Sequence, residues 1–129
     1  MDDILPMNIY GYELVLDLHG CDVDKFTRGS IEQYMATICS AIDMEREDLH
    51  FWDYEGIPVK ERPNQPHLLG TSAVQFITTS NITIHTLELL KAVYVNIFSC
   101  KSFDKEVAEK VTKEWFGANE CRTHFIERI

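Results

Sequence analysis

The sequence predicts an α+β protein, a two-layer α/β sandwich in which two helices cover one face of a mainly antiparallel sheet. Three observations predict this class. Two segments carry apolar residues at helical spacing, several others alternate or are rich in β-branched residues, and the strands in the second half follow one another too closely for parallel crossovers. A chain of 129 residues fits one core, so we expect a single domain over 1–129.

The first predicted strand spans 10–19, where Leu14, Leu16 and Leu18 alternate with more polar residues and Gly20 ends the run. Further strands are predicted at 49–54, 72–79, 82–87, 92–99 and 121–126. Residues 56–71 contain three prolines and two glycines, which predicts a long loop.

Two helices are predicted between these strands. The first begins at a capping box of Ser30 and Gln33. Its apolar stripe is Ile31, Tyr34, Met35, Ile38 and Ile42. The second spans 103–116, with Ser102 as N-cap and Gly117 as the C-terminal stop. Its stripe is Phe103, Val107, Val111 and Trp115.

Composition excludes several classes of function. A formal net charge of -9 argues against a nucleic-acid surface, which needs basic residues. The start, Met1-Asp2-Asp3, does not resemble a signal peptide, and no apolar run approaches the ~20 residues that span a bilayer. We therefore expect a cytoplasmic protein without membrane partners. The cysteines at 21, 39, 100 and 121 lack metal-ligand spacing, so free thiols and no metal site are expected.

The predicted layers leave one sheet face uncovered. Strand parity places His85 on this face, together with Cys100, Asp17 and His19. Val15, Tyr94 and Phe98 lie near it, and an apolar face of this kind favours association. We therefore expect a homodimer with twofold symmetry.

Two segments resemble the short prokaryotic S-adenosylmethionine decarboxylases: "YGYELVLDLHGCD" (10–22) and "GTSAVQFITTSNITIHTLELLKAVYVNIFSC" (70–100). The second carries Gly-x-Ser, Ser-x-x-x-x-His and Phe-x-Cys at the family's separations. The resemblance implies self-cleavage between Thr79 and Ser80, with Ser80 becoming a covalent pyruvoyl cofactor. It further implies that Ser72 assists processing, His85 promotes the elimination step and Cys100 protonates the product. It also implies chains that pair and share their sites.

This chemistry explains why such residues are needed. Decarboxylation leaves electrons on the substrate α-carbon, and a carbonyl joined to the substrate amine can accept them. A serine hydroxyl can generate that carbonyl by attacking the preceding peptide bond. A histidine can remove the serine α-proton, and a second hydroxyl can hydrogen-bond the oxyanion. We expect Ser80 at a tight turn, with His85 near enough to take that proton.

The sequence departs from the family at the nucleoside contacts. The family's Glu-Ser-His around the cut is replaced by Thr79-Ser80-Asn81. The family glutamate that contacts the ribose is replaced by Leu89, while Glu88 is one residue early and is a weaker candidate for substrate binding.

Three functions therefore remain open. The first is an S-adenosylmethionine decarboxylase of polyamine (spermidine) biosynthesis. The second is a pyruvoyl decarboxylase of another amino acid, such as arginine or ornithine. The third is an uncleaved relative that binds or regulates.

Overall fold

The computed structural model describes residues 8–129, so the expectation that concerned residues 1–3 lies outside this range. Across the described residues, two α-helices pack on one six-stranded sheet. The strands are β1 Gly11–His19, β2 Leu49–Trp52, β3 Thr71–Ile77, β4 Ser80–Leu87, β5 Ala92–Ser99 and β6 Glu120–Arg128; the helices are α1 Arg28–Ala41 and α2 Lys105–Phe116. Their order is β2-β3-β4-β5-β1-β6, and every pair is antiparallel. The predicted fold class is confirmed.

The core lies between the sheet and the helices. Leu14, Leu16 and Leu18 of β1 are fully buried on the face covered by the helices, as the alternation predicted. The predicted α1 stripe is buried in full. Tyr34 of α1 bonds Thr112 of α2 through their hydroxyls at 2.7 Å, which satisfies two buried polar groups and joins the helices.

Both predicted helix N-caps are wrong. The α1 cap is Thr27, whose hydroxyl accepts from the Ser30 N–H, while the Ser30 hydroxyl accepts from the Trp115 indole at 3.0 Å. The α2 cap is Asp104, whose carboxylate accepts two backbone N–H groups. In α1, the Ser30 hydroxyl is engaged by Trp115, and Thr27 is the N-cap. In α2, the carboxylate of Asp104 is the N-cap in place of the Ser102 hydroxyl. Gly117 ends α2 in the left-handed conformation, as predicted.

The α2 stripe is shifted by one residue. Its buried side chains are Ala108, Thr112 and Phe116, whereas the predicted Phe103, Val107, Val111 and Trp115 are only partly buried. Ala108 and Thr112 are small enough for α2 to pack closely on the layer below, and Phe116 fills the core.

The predicted strand boundaries move by at most two residues, and the strand predicted at 92–99 is unchanged. At the hairpin, β3 ends at Ile77 and β4 begins at Ser80, because Thr78 and Thr79 form the turn. The 56–71 loop contains one short 3-10 turn, Val59–Glu61.

No helix in the described part of the chain covers the other face of the sheet. Residues that are paired across the ladders lie on the same face. The residues on this face include His50, Trp52, Ser72, Phe76, Thr83, His85, Tyr94, Phe98, Val15, Asp17, His19 and Ile126. We call it the open face. Trp52 is 65% exposed there. Within residues 8–129, no helix has the length and apolar character needed to cross a membrane.

Candidate active site

The β3–β4 hairpin brings Ser72 and His85 together. They are directly opposite in the ladder, and the Ser72 hydroxyl oxygen lies 2.7 Å from His85 Nδ1. Both side chains belong to the open face, where His85 is exposed. When Nδ1–H donates to the Ser72 oxygen, Nε2 keeps a free lone pair. The pair can therefore act as an oriented general base.

The opposite end of the hairpin holds Ser80. It is the first residue of β4, directly after the Thr78–Thr79 turn, as expected. Its side chain points to the helix side and is 6% exposed. The hydroxyl oxygen accepts the backbone N–H of Cys100 at 3.0 Å. This bond fixes the hydroxyl beside the peptide bond that joins Thr79 to Ser80.

Cys100 directly follows β5 and is exposed. Its Sγ lies 4.0 Å from the Thr78 carbonyl oxygen. Hydrogen bonding to the side chains of Thr79 and Ser80 lowers the pKa of the Cys100 thiol. By contrast, burial raises the pKa of Cys21 and of Cys39 to about 11. Burial also raises the pKa of Cys121, so Cys100 is the most acidic of the four thiols.

A cavity of about 220 Å³ adjoins Ser80 and Cys100. It is lined by Met44, Glu45, Ile77, Thr78, Ser80, Ser99, Cys100 and Lys101. The space is large enough for the reacting end of a small amino acid and too small for a nucleoside derivative to be enclosed entirely.

Within one chain, the two halves of the predicted site do not meet. Ser80 and His85 are five residues apart on one strand, about 17 Å at ~3.4 Å per residue. An odd spacing also places their side chains on opposite faces. His85 therefore does not reach the Ser80 α-proton within one chain, and its expected role in removing that proton stays a prediction. The placement of Asp17, His19 and His85 on the open face is confirmed. Cys100 follows the end of β5 and has no ladder partner, so strand parity does not place it on that face.

Glu47 is a further residue of the site that was not predicted from the sequence. Its carboxylate accepts from the Thr78 hydroxyl at 3.0 Å, and its backbone N–H donates to the Phe76 carbonyl at 2.8 Å. The signal in the sequence was Thr78-Thr79, because two-residue turns disfavour β-branched residues. A turn of this kind needs outside support, and Glu47 supplies part of it.

The fold and this arrangement agree with a known family. A sequence model described as S-adenosylmethionine decarboxylase matches residues 12–129. The chain belongs to the S-adenosylmethionine decarboxylase family. Its fold is similar to the crystal structure of the adenosylmethionine decarboxylase from Aquifex aeolicus VF5, with a TM-score of 0.75, 18% identity, and coverage of 95% of this chain and 92% of that chain. Among curated proteins, none matches this chain.

Membership of the S-adenosylmethionine decarboxylase family bears on Glu88 and Leu89, which follow β4. Leu89 is 54% exposed. Glu88 lines a separate cavity of about 320 Å³ beside the start of α1, together with Arg28 and Arg62. One Glu88 carboxylate oxygen is buried there without a hydrogen-bond partner among residues 8–129. Glu88 therefore does not lie beside Ser80 or Cys100 of its own chain, and its role in substrate binding stays a prediction.

Proposed function

We propose that this chain is a self-processing S-adenosylmethionine decarboxylase that provides an aminopropyl donor for polyamines such as spermidine. One observation carries the proposal. In a chain of this family, the Ser80 hydroxyl is held by the Cys100 N–H at 3.0 Å, directly after the turn at which cleavage is expected. The same contact places a thiol of lowered pKa beside the residue that would become the cofactor.

Self-processing would begin with attack of the Ser80 oxygen on the Thr79 carbonyl carbon. The C–N bond breaks, the hydroxyl proton passes to nitrogen, and an ester joins the two residues. Removal of the Ser80 α-proton then expels the Thr79 carboxylate. The remaining enamine tautomerises to an imine. Water then hydrolyses the imine to a pyruvoyl group and ammonia. The pyruvoyl carbonyl supplies the electron sink that decarboxylation requires.

The base for the second step would come from a partner chain. In two sheets packed through their open faces, a twofold axis can lie between the sheets, perpendicular to β4 and level with the midpoint between Ser80 and His85. Such an axis exchanges the two ends of the strand. Each His85 then lies over the partner's Ser80, across a gap of about 10 Å between sheets. Side chains entering from both sheets can bridge such a gap, so the Ser72–His85 pair would serve the neighbouring turn.

The open face is suited to this association. Trp52, Phe76 and Ile126 are at least 45% exposed on it, and Tyr94 and Phe98 lie between them. Burial of such side chains stabilises an interface by about 25 cal/mol per Å² of apolar surface, before the cost of association. We therefore propose a twofold homodimer, and sedimentation at micromolar concentration tests it. A monomer would contradict the shared site.

In turnover, Cys100 would return a proton to the substrate α-carbon after CO₂ leaves. A lowered pKa makes its thiol a stronger acid, which favours this transfer. The Ser80–Cys100 contact within one chain keeps the donor beside the reacting group.

Intact-mass spectrometry tests the proposal. Wild-type protein should give fragments 1–79 and 80–129, the second with a pyruvoyl end, and Ser80→Ala should give the full-length mass. A wild-type chain that stays intact after long incubation would favour the uncleaved binding or regulatory relative.

A CO₂-release assay on the cleaved protein then tests the substrate. We expect preference for S-adenosylmethionine over arginine and ornithine. The specific observation in favour of the second candidate, a decarboxylase of a plain amino acid, is Leu89 in place of the ribose contact. Preference for arginine or ornithine would establish that candidate instead.

A further inference from the structure

Thr79 has an unfavourable backbone conformation. Its φ is 51°, in the left-handed region. Among described non-glycine residues, Asp43 and Lys91 also have positive φ, but only Thr79 is β-branched. A branched Cβ makes this region especially costly. Thr79 is also the second residue of the turn, and a turn with positive φ only there normally has glycine or asparagine at that position.

Contacts on both sides hold the turn in place. The Thr78 hydroxyl donates to Glu47 at 3.0 Å, and Glu47 is fixed by its backbone bond to Phe76. On the other side, Ser80 accepts the Cys100 N–H. Strained residues persist only where their surroundings determine the conformation in this way. The strain lies at the residue that contributes the carbonyl of the bond to be cleaved.

We propose that the left-handed backbone of Thr79 drives self-cleavage, which makes Thr79 a positioning residue for the first step. The inference rests on the proposed function. In that step the Ser80 oxygen bonds to the Thr79 carbonyl carbon, the C–N bond breaks, and the hydroxyl proton moves to the nitrogen. The ester lengthens the connection through the Ser80 Cβ and Oγ, so the Thr79 backbone relaxes. Release of strain favours the ester and the path toward it.

Two substitutions at position 79 separate strain from the hydroxyl. Thr79→Gly removes the penalty of positive φ. Thr79→Val keeps the branched Cβ, and therefore the strain, but removes the hydroxyl that donates to the Thr78 carbonyl at 2.8 Å. We expect Thr79→Gly to cleave about fivefold to thirtyfold more slowly than wild type, and Thr79→Val to stay near the wild-type rate. Cleavage is followed by intact mass.

The strain itself is measured in the uncleavable Ser80→Ala background. There Thr79→Gly should raise the Tm by a few degrees, although glycine also increases the entropy of the unfolded chain. Lys91→Gly is the matched control, since Lys91 has φ 50° at the other end of β4. It should leave the cleavage rate unchanged. A residue with a merely structural role would not combine slower cleavage with higher stability.

The outcomes are distinct. Cleavage of Thr79→Gly at the wild-type rate or faster overturns the inference. So does slow cleavage accompanied by a lower Tm in the Ser80→Ala background, or equal slowing by Thr79→Val. A wild-type chain that never cleaves overturns the proposed function and the driving role of Thr79 together. In that case, the Tm comparison still decides whether Thr79 is strained.

Discussion

The two ends of strand β4 differ in burial, conformation and chemistry. At the turn end, Ser80 is buried on the helix side, and Thr79 has a left-handed backbone. At the other end, Ser72 and His85 form a hydrogen-bonded pair in regular strands on the open face. A nucleophile needs a fixed position beside its own peptide bond, whereas a base can be supplied by another chain. The difference supports our proposal that one chain holds two half-sites that serve different copies.

The largest effect is expected from removing the base. His85→Ala should slow self-cleavage about 10²- to 10⁴-fold, the usual contribution of a general base. The Tm should change little, because the main contact of His85 within its own chain is one hydrogen bond. Intact mass against time and a thermal melt measure the two quantities.

The matched control is His67→Ala, which removes an exposed histidine of the 56–71 loop. It should cleave normally. Rapid cleavage of His85→Ala would show that the two ends of β4 do not cooperate, whichever chain contributes them.

The sequence predicted these elements well where a repeating pattern reports burial. The alternation in β1 and the helical stripe of α1 identified core residues that are fully buried. The prediction from sequence was wrong where two nearby polar residues could each cap the same helix. Thr27 and Asp104 are the helix caps instead of Ser30 and Ser102, because tertiary contacts and backbone geometry decide between them.

A smaller effect is expected at Ser72. Ser72→Ala should slow cleavage about tenfold, since it removes a hydrogen bond that orients the imidazole. In the His85→Ala background the same substitution should have almost no effect, because partners in one interaction are not additive. Ser72→Thr should restore much of the rate. Equal effects of Ser72→Ala in both backgrounds would contradict a role through His85.

The resemblance pointed to the four candidate residues Ser72, Ser80, His85 and Cys100. Their spacing in the sequence alone could not predict which of them lie at the same end of the hairpin. The ladder pairs Ser72 with His85, and the end of β5 brings Cys100 to Ser80. Both contacts depend on strand register. The backbone conformation of Thr79 was also not visible in the sequence, because the contacts that hold it come from Glu47 and Cys100, far along the chain.

The smallest effect concerns the Cys100 thiol. A lowered pKa increases the thiolate fraction at any pH below the usual value of 9.0, and the thiolate is the reactive form. In uncleaved His85→Ala protein, iodoacetamide should modify Cys100 first, with a midpoint below pH 9.0. Cys21 and Cys39, whose pKa burial raises to about 11, should react last. Peptide mapping at several pH values measures this order.

Ser80→Ala should shift the Cys100 midpoint upward, because one of the hydrogen bonds that lower the pKa is lost. An unchanged midpoint would show that the Ser80 hydroxyl does not lower the pKa of the thiol.

Co-expression of two inactive chains tests the shared site most directly. The His85→Ala chain keeps Ser80, and the Ser80→Ala chain keeps His85, so a mixed dimer contains one complete site. With distinguishable tags, we predict that neither chain cleaves alone and that only the His85→Ala chain is cleaved in the mixture, to the fraction present in mixed dimers. If the two chains form mixed dimers and the His85→Ala chain still remains intact, the account of two half-sites exchanged between copies is contradicted.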